Sequence, residues 1–304
     1  MTGHLSLEQI MDVYEKSRHW YGDASFEGFT TTRVSGLKDA LEGIDLVLLD
    51  SYGVLCRGSD VIPEALTAIE YLRKNNMRFS IVSNDTMNGQ ATVEEKYKNL
   101  GFDFSKQEIV TSLDVVEAYI KNLLLKPKMA VTGLKDNPLK EVFYADQNLN
   151  ASQGNLDNEI QTLMYLVGKG WNAEMQNNLC KSAGNIQQVI LGNPDVGAPV
   201  EDVFVPTPGL YMHHFYETTK HASMPLLLGK PAQAIFKHTL NKIAYQGDPA
   251  KVLMVGDSLH TDILGGHMMG FKTLLLESGI FRKGGAETYI KKTGITPTYI
   301  ATTI

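Results

Sequence analysis

Four short stretches of this 304-residue chain gather side chains able to do chemistry. Asp50 meets a glycine turn in Asp50-Ser51-Tyr52-Gly53-Val54-Leu55, and Ser83-Asn84-Asp85 sets a hydroxyl beside an amide. Gly229-Lys230-Pro231 carries a lysine, and Gly256-Asp257-Ser-Leu-His-Thr-Asp262 holds two carboxylates five residues apart. Carboxylates offer oxygen to an electrophile or a hard cation, lysine offers a compact positive charge, and hydroxyls bond to anions. Taken singly, each residue is equally well a turn or cap residue. Their order and setting carry the signal.

The setting is a series of short apolar runs. Ile44 to Asp50, Arg78 to Ser83, Leu226 to Gly229, Lys251 to Asp257 and Lys272 to Leu276 read as strands buried on both faces, the mark of a parallel sheet. Helices fall between them. Pro63 to Asn75 places Ala65, Leu66, Ile69 and Leu72 at helical spacing, and Pro231 to Tyr245 opens on a proline that a first turn tolerates. The fold class is α/β, a Rossmann-like parallel sheet with helices on both faces. In such sheets ligands bind beyond the carboxyl ends of strands, at the point where strand order reverses. Asp50, Ser83, Lys230 and Asp257 each fall at or just past the end of a run.

Composition bounds the ligand. The chain is 43% hydrophobic and 20% charged, an ordinary globular balance, and its length favours two domains. Lys plus Arg number 28 against 34 Asp plus Glu, a net charge of −6, so no broad positive field grips nucleic acid or an anionic membrane. An anionic ligand must be held by a helix N-terminus, a lysine or a metal ion. Two cysteines, Cys56 and Cys180, build neither a disulfide framework nor a zinc site. The first residues form no signal peptide, and no apolar run approaches the roughly 20 residues of a membrane span. A cytoplasmic protein is expected, with homo-oligomerisation left open.

Between Ser83 and Lys230 the chain is far longer than one strand-to-strand crossover requires. From Pro127 a new series begins: a strand at Met129 to Thr132, a polar loop from Asp146 to Asn158, a helix from Glu159 to Val167 and a strand at Gln187 to Leu191. Asn193-Pro194-Asp195 and Pro206-Thr-Pro-Gly209 punctuate the return. The expected organisation is a core of residues 1–126 plus 221–304, with 1–43 an N-terminal extension, around an inserted α/β cap of residues 127–220. Ser6 and Gln9 make a capping box that opens a helix with Ile10, Met11, Val13 and Tyr14 as inward positions.

These motifs resemble those of the haloacid dehalogenase superfamily, whose phosphotransferases use an aspartate nucleophile. The likeness runs from about Ile44 to the C-terminus. The large insert after the second motif, with Asn193-Pro-Asp195 and the Pro208-Gly209 turn, is similar to class IIA, the NagD-like and 4-nitrophenylphosphatase-like sugar phosphatases. The resemblance implies a hydrolase of small phosphorylated metabolites working through an aspartyl-phosphate. It makes Asp50 the nucleophile and Lys230 the charge neutraliser. Asp50, Asp257 and the backbone carbonyl of Tyr52 would ligate Mg²⁺. Ser83, Asn84 and Lys230 would bind the phosphoryl group, Asp262 would orient Lys230 or a metal-bound water, and Asn193 and Asp195 would shape specificity from the cap.

One residue departs from that pattern. The family's phosphatases carry a second aspartate two positions after the nucleophile, as general acid and base; here it is Tyr52. Losing a positioned acid/base typically costs about 10²–10⁴-fold. Three outcomes follow: restriction to leaving groups that need no protonation, a long-lived phospho-Asp50, or a protein that binds phosphorylated ligands without turning them over. Asp-x-Tyr-Gly is also similar to the 2-haloacid dehalogenases, which need no metal and carry their cap after the first motif. Asp257, Asp262 and the cap position favour phosphoryl transfer. His213 and His214 are expected to be structural, and His260 and His267 to sit on a helix surface.

Overall fold

The structure, a computed structural model, describes residues 3–87, 90–133 and 145–304. Seven strands form one parallel sheet in the order Thr32–Arg33, Tyr299–Ala301, Lys272–Leu276, Val252–Gly256, Leu46–Leu49, Arg78–Ser83, Ile109–Thr111. All four residues of Leu46–Leu49 are buried because helices cover both faces. Side chains alternate across a strand, so Val47 and Leu49 pack with Ala65, Ile69 and Leu72 of the Pro63–Lys74 helix. Leu46 and Leu48 face the other way, with Leu113, Ile235 and Phe236. Each such side chain contributes about 1.5–3 kcal/mol on leaving water. The central strand is therefore rigid where Asp50 leaves it.

From Leu46–Leu49 the chain steps outward to Arg78–Ser83 and Ile109–Thr111, whereas Val252–Gly256 begins a march toward the opposite edge. The order reverses between Leu46–Leu49 and Val252–Gly256, the switch point at which ligand crevices form. Asp50 and Asp257 are the first residues past those two neighbouring strands.

A second parallel sheet has the order Leu226–Leu227, Gln188–Leu191, Thr162–Tyr165, Met129–Thr132, Gln147–Asn148. Two expectations are corrected here. The segment from Glu159 to Val167 is not a helix: Thr162–Tyr165 is the central strand of this sheet, entirely buried. Its apolar residues also suit a helix face, and short apolar runs do not separate the two by periodicity. The Leu226 to Gly229 run, read as a strand of the large sheet, instead pairs with Ile190 and Leu191. The second sheet thus extends past residue 220.

The N-terminal helix, Leu7–Lys16, has the expected capping box, with Gln9 N–H donating to Ser6 Oγ and Ser6 N–H to Gln9 Oε1. Ile10, Met11 and Tyr14 are buried and Val13 partly so. They pack against Val196, Phe204 and Leu210 as well as Leu259 and Ile263, touching both halves of the molecule. His260 is not on a helix surface. It is fully buried in a wide turn over residues 259–263, stacked 4.5 Å from the Tyr14 ring, with Nε2 2.6 Å from Glu15 Oε1. His213 is buried among Trp20 and Tyr21, its Nε2 3.0 Å from the Tyr21 hydroxyl, and burial pushes it down to about 3. It is a structural neutral imidazole. Among the described residues no helix is long and apolar enough to cross a membrane.

Candidate active site

The loop after Leu46–Leu49 is tight because Gly53 allows it. Its φ is +82°, and a Cβ there would collide with the Asp257 carboxylate. Gly53 N–H donates to Cys56 O at 2.7 Å and Leu55 N–H to Ser51 O at 2.8 Å, folding the loop over the sheet end. Ser278 Oγ donates to Gly53 O at 2.7 Å from the loop following Lys272–Leu276. A Cβ on Gly279 would also strike the Asp257 carboxylate, whose Oδ2 accepts from Ile280 N–H at 2.9 Å. Asp257 is thus enclosed by two glycines and one amide.

Lys230 reaches this point from the second sheet. Its Nζ lies 2.6 Å from Asp50 Oδ1 and 2.7 Å from Asp262 Oδ1, with 1% of the side chain exposed. An isolated buried ammonium would be costly, and two carboxylates offset that cost. Burial works against the Lys230 charge, but Asp262 and Asp50 outweigh it and hold the amine protonated above the ordinary lysine range. The other Asp262 oxygen accepts from Ser258 N–H at 3.1 Å, so both oxygens of this carboxylate are engaged.

Ligand oxygens of Asp50, Asp257 and Asp262 lie within 4.8 Å of one another. Three buried carboxylates against one ammonium leave two negative charges in excess. Burial drives the Asp257 carboxyl well above its usual range, and repulsion from Asp50 and Asp262 adds to the shift. A hard divalent cation fits this donor set, since it prefers carboxylate oxygen and would neutralise the excess.

The crevice opens into a cavity of about 620 Å³. Asp50, Tyr52, Ser83, Asn84, Asp195 and Asp257 line its polar end, while Leu166, Pro199, Val200, Val205, Pro206 and Tyr211 form an apolar wall. Asn193 and Asp195, expected at the cap, do face this cavity, as does Ser83, whose Oγ accepts from Asp85 N–H at 3.2 Å. Asn84 is there too, but its amide is committed to the scaffold. Oδ1 accepts from Lys230 N–H at 2.7 Å and Ser112 Oγ at 3.1 Å. Nδ2 donates to Asp195 Oδ1 at 2.9 Å and Lys230 O at 3.2 Å. That saturates both ends of the amide, so any bond from Asn84 to a ligand must come from its backbone. Burial pushes the Asp195 carboxyl up to about 6 despite the nearby Lys230.

Sequence reasoning gave no role to Asp85 or Lys96. Asp85 lines the cavity and is 3.0 Å from Lys96 Nζ, which lies 4.3 Å from the centre of the Tyr52 ring. Asp85 stood within a quoted motif; Lys96, on the Gln90–Asn99 helix, had no signal in the chain.

Two family models match. One, described as haloacid dehalogenase-like hydrolase, covers residues 47–145; the other, HAD-hydrolase-like, covers 227–304. An acid sugar phosphatase of Staphylococcus epidermidis is 27% identical over 254 residues, 83% of this chain and 92% of that protein. Sugar-phosphatase AraL of Bacillus subtilis is 25% identical over 259 residues, 85% and 90% of the two chains. The solved structure of a possible sugar phosphatase from Cytophaga hutchinsonii superposes with a TM-score of 0.77 at 24% identity, covering 90% of this chain and 98% of that one. At that identity the likeness is one of fold.

Proposed function

This chain belongs to the haloacid dehalogenase-like hydrolases, and from that premise we propose that it is a class IIA phosphatase of small phosphorylated metabolites. The observation that carries the reading is the contact of Lys230 with Asp50 and Asp262 beside Asp257, at the switch point of the sheet. The two relatives described as sugar phosphatases support phosphorylated small molecules as the substrate class, and Tyr52 restricts turnover to those whose leaving group needs no protonation.

In this reading Asp50 attacks phosphorus and the bond to the leaving oxygen breaks, giving an aspartyl-phosphate that water then cleaves. Lys230 neutralises the transferring oxygens from a buried position that excludes competing water. Ser83, at the end of its strand, bonds to another phosphoryl oxygen. Asp262 keeps the Lys230 ammonium aimed at Asp50. Mg²⁺ would be held by Asp50, Asp257 and the Tyr52 carbonyl, and when bound it supplies charge neutralisation at the phosphoryl group. Residues 127–220, with the Leu226–Leu227 strand, act as the cap, and Asn193 and Asp195 shape specificity where they meet the cavity. The protein works in the cytoplasm.

Tyr52 favours a second reading, in which the site binds phosphorylated ligands without turnover. One screen separates the two. Sugar phosphates, acetyl phosphate and 4-nitrophenyl phosphate are assayed with Mg²⁺ and after chelation. Turnover of at least one substrate is expected, falling by roughly 10²-fold or more when the metal is removed. Saturable binding with no metal-dependent turnover of any of them would overturn the enzyme.

A further inference from the structure

Position 52 holds a phenol inside the cavity, and the structure surrounds it in a way the sequence does not suggest. Lys96 reaches in from the Gln90–Asn99 helix until its ammonium is 4.3 Å from the Tyr52 ring centre. Asp85 anchors it at 3.0 Å; the Lys96 side chain is 15% exposed and that of Asp85 3%. Met87 N–H donates to the other Asp85 oxygen at 2.7 Å, so the carboxylate that holds Lys96 is itself fixed. Burial opposes the Lys96 charge, and Asp85, with the Tyr97, Tyr52 and Cys56 side chains, outweighs it. The result is an ammonium held by a carboxylate against the phenol of the reaction cavity.

A cation beside a phenol withdraws electron density from it and strengthens its hydroxyl as a hydrogen-bond donor. A donor aimed where negative charge develops lowers the barrier without moving a proton. We propose that Lys96, anchored by Asp85 against Tyr52, is a specificity-determining residue. It makes the Tyr52 hydroxyl a stabiliser of the departing oxygen and selects aryl and acyl phosphates, whose leaving groups depart as anions. This rests on the Asp50 phosphoryl-transfer reading above. An Asp50 oxygen bonds to phosphorus while the bond from phosphorus to the leaving oxygen breaks, and the electron pair stays on that oxygen. It leaves unprotonated, with a hydrogen bond from Tyr52. Water then attacks phosphorus, the Asp50–phosphorus bond breaks, inorganic phosphate departs, and the proton from water passes to solvent. The apolar wall of Leu166, Pro199, Val205 and Pro206 accepts the flat or aliphatic body such substrates carry.

The test is a series of substituted phenyl phosphates spanning good to poor leaving groups, assayed with Mg²⁺ on wild type, Lys96→Met, Lys96→Arg and Asp50→Asn. Loss of the cation is expected to steepen the dependence of kcat on leaving-group acidity. Phenyl phosphate should lose about tenfold and 4-nitrophenyl phosphate at most about threefold, with Lys96→Arg restoring most of the difference. A uniform loss across the series, with an unchanged slope, would mean that Lys96 only supports the fold and would overturn the proposal. So would no effect at all. If wild type shows no Asp50-dependent turnover of any aryl phosphate, the phosphoryl-transfer reading itself fails, a result distinguishable from an unchanged slope in an active enzyme. Equal melting temperatures of wild type and Lys96→Arg check that the rescue is made in a folded protein.

Discussion

Replacing Tyr52 by aspartate is expected to raise hydrolysis of alkyl phosphates such as glycerol phosphate by roughly 10²–10⁴-fold, the usual contribution of a positioned acid/base. An alkoxide is a poor leaving group and must be protonated as it departs. A phenol with its pKa raised by burial holds its proton too firmly for that, and it is equally ill suited to remove one from water in the second step. A carboxyl at position 52 would line the same cavity as Asp50 and could serve both steps. Lys96 sets the size of the gain. Its ammonium would lie close to the new carboxylate and lower its pKa, which favours the base role and weakens the acid role. The gain should therefore rise when Lys96→Met is added. Comparing kcat/KM on glycerol phosphate and 4-nitrophenyl phosphate checks this. An unchanged preference in Tyr52→Asp would show that residue 52 does not face the leaving group.

Lys230→Met is the second large effect. It removes the ammonium that lies between Asp50 and Asp262, leaving two carboxylates 2.6 and 2.7 Å from where the charge stood. Breaking a buried pair by deleting one partner typically costs about 3–5 kcal/mol. Denaturant unfolding without metal should show a loss of that order. Mg²⁺ should restore part of it, because a cation that binds the folded state alone stabilises it by mass action. Turnover should fall by about 10²–10³-fold and should not recover with the metal, since the neutralising charge on the phosphoryl group is gone. Turnover that returned fully with added Mg²⁺ would mean that Lys230 serves stability only.

Much of this site was legible in the chain because its chemistry sits at strand ends. Asp50 and Asp257 follow all-apolar strands, and a strand buried on both faces announces itself by composition. The motif around Lys230 is legible, whereas the sheet to which the strand before it belongs is not. Leu226–Leu227 is short and apolar, and nothing in such a run names its pairing partner. The same ambiguity hid the Thr162–Tyr165 strand inside a helical pattern. Asn84 could be located but not understood, because its four bonds go to Ser112, Asp195 and Lys230, all distant in sequence. Lys96 lay beyond reach for a related reason. Its helix carries several charged residues that composition does not tell apart, and only the folded structure turns that lysine inward onto Tyr52 and Asp85. The burial of His260 has no local signal because Glu15, on the N-terminal helix that covers it, lies 245 residues away along the chain.

The central claim is that Asp50 carries the phosphoryl group. Its most direct test is acid quenching of the protein during turnover of acetyl phosphate with Mg²⁺, followed by mass spectrometry of the peptide that contains Asp50-Ser51-Tyr52. The account predicts one phosphoryl group on Asp50 in wild type, accumulating because Tyr52 is a weak base, and none in Asp50→Asn. Turnover that proceeds undiminished in Asp50→Asn, with no label on this peptide in either protein, would contradict it.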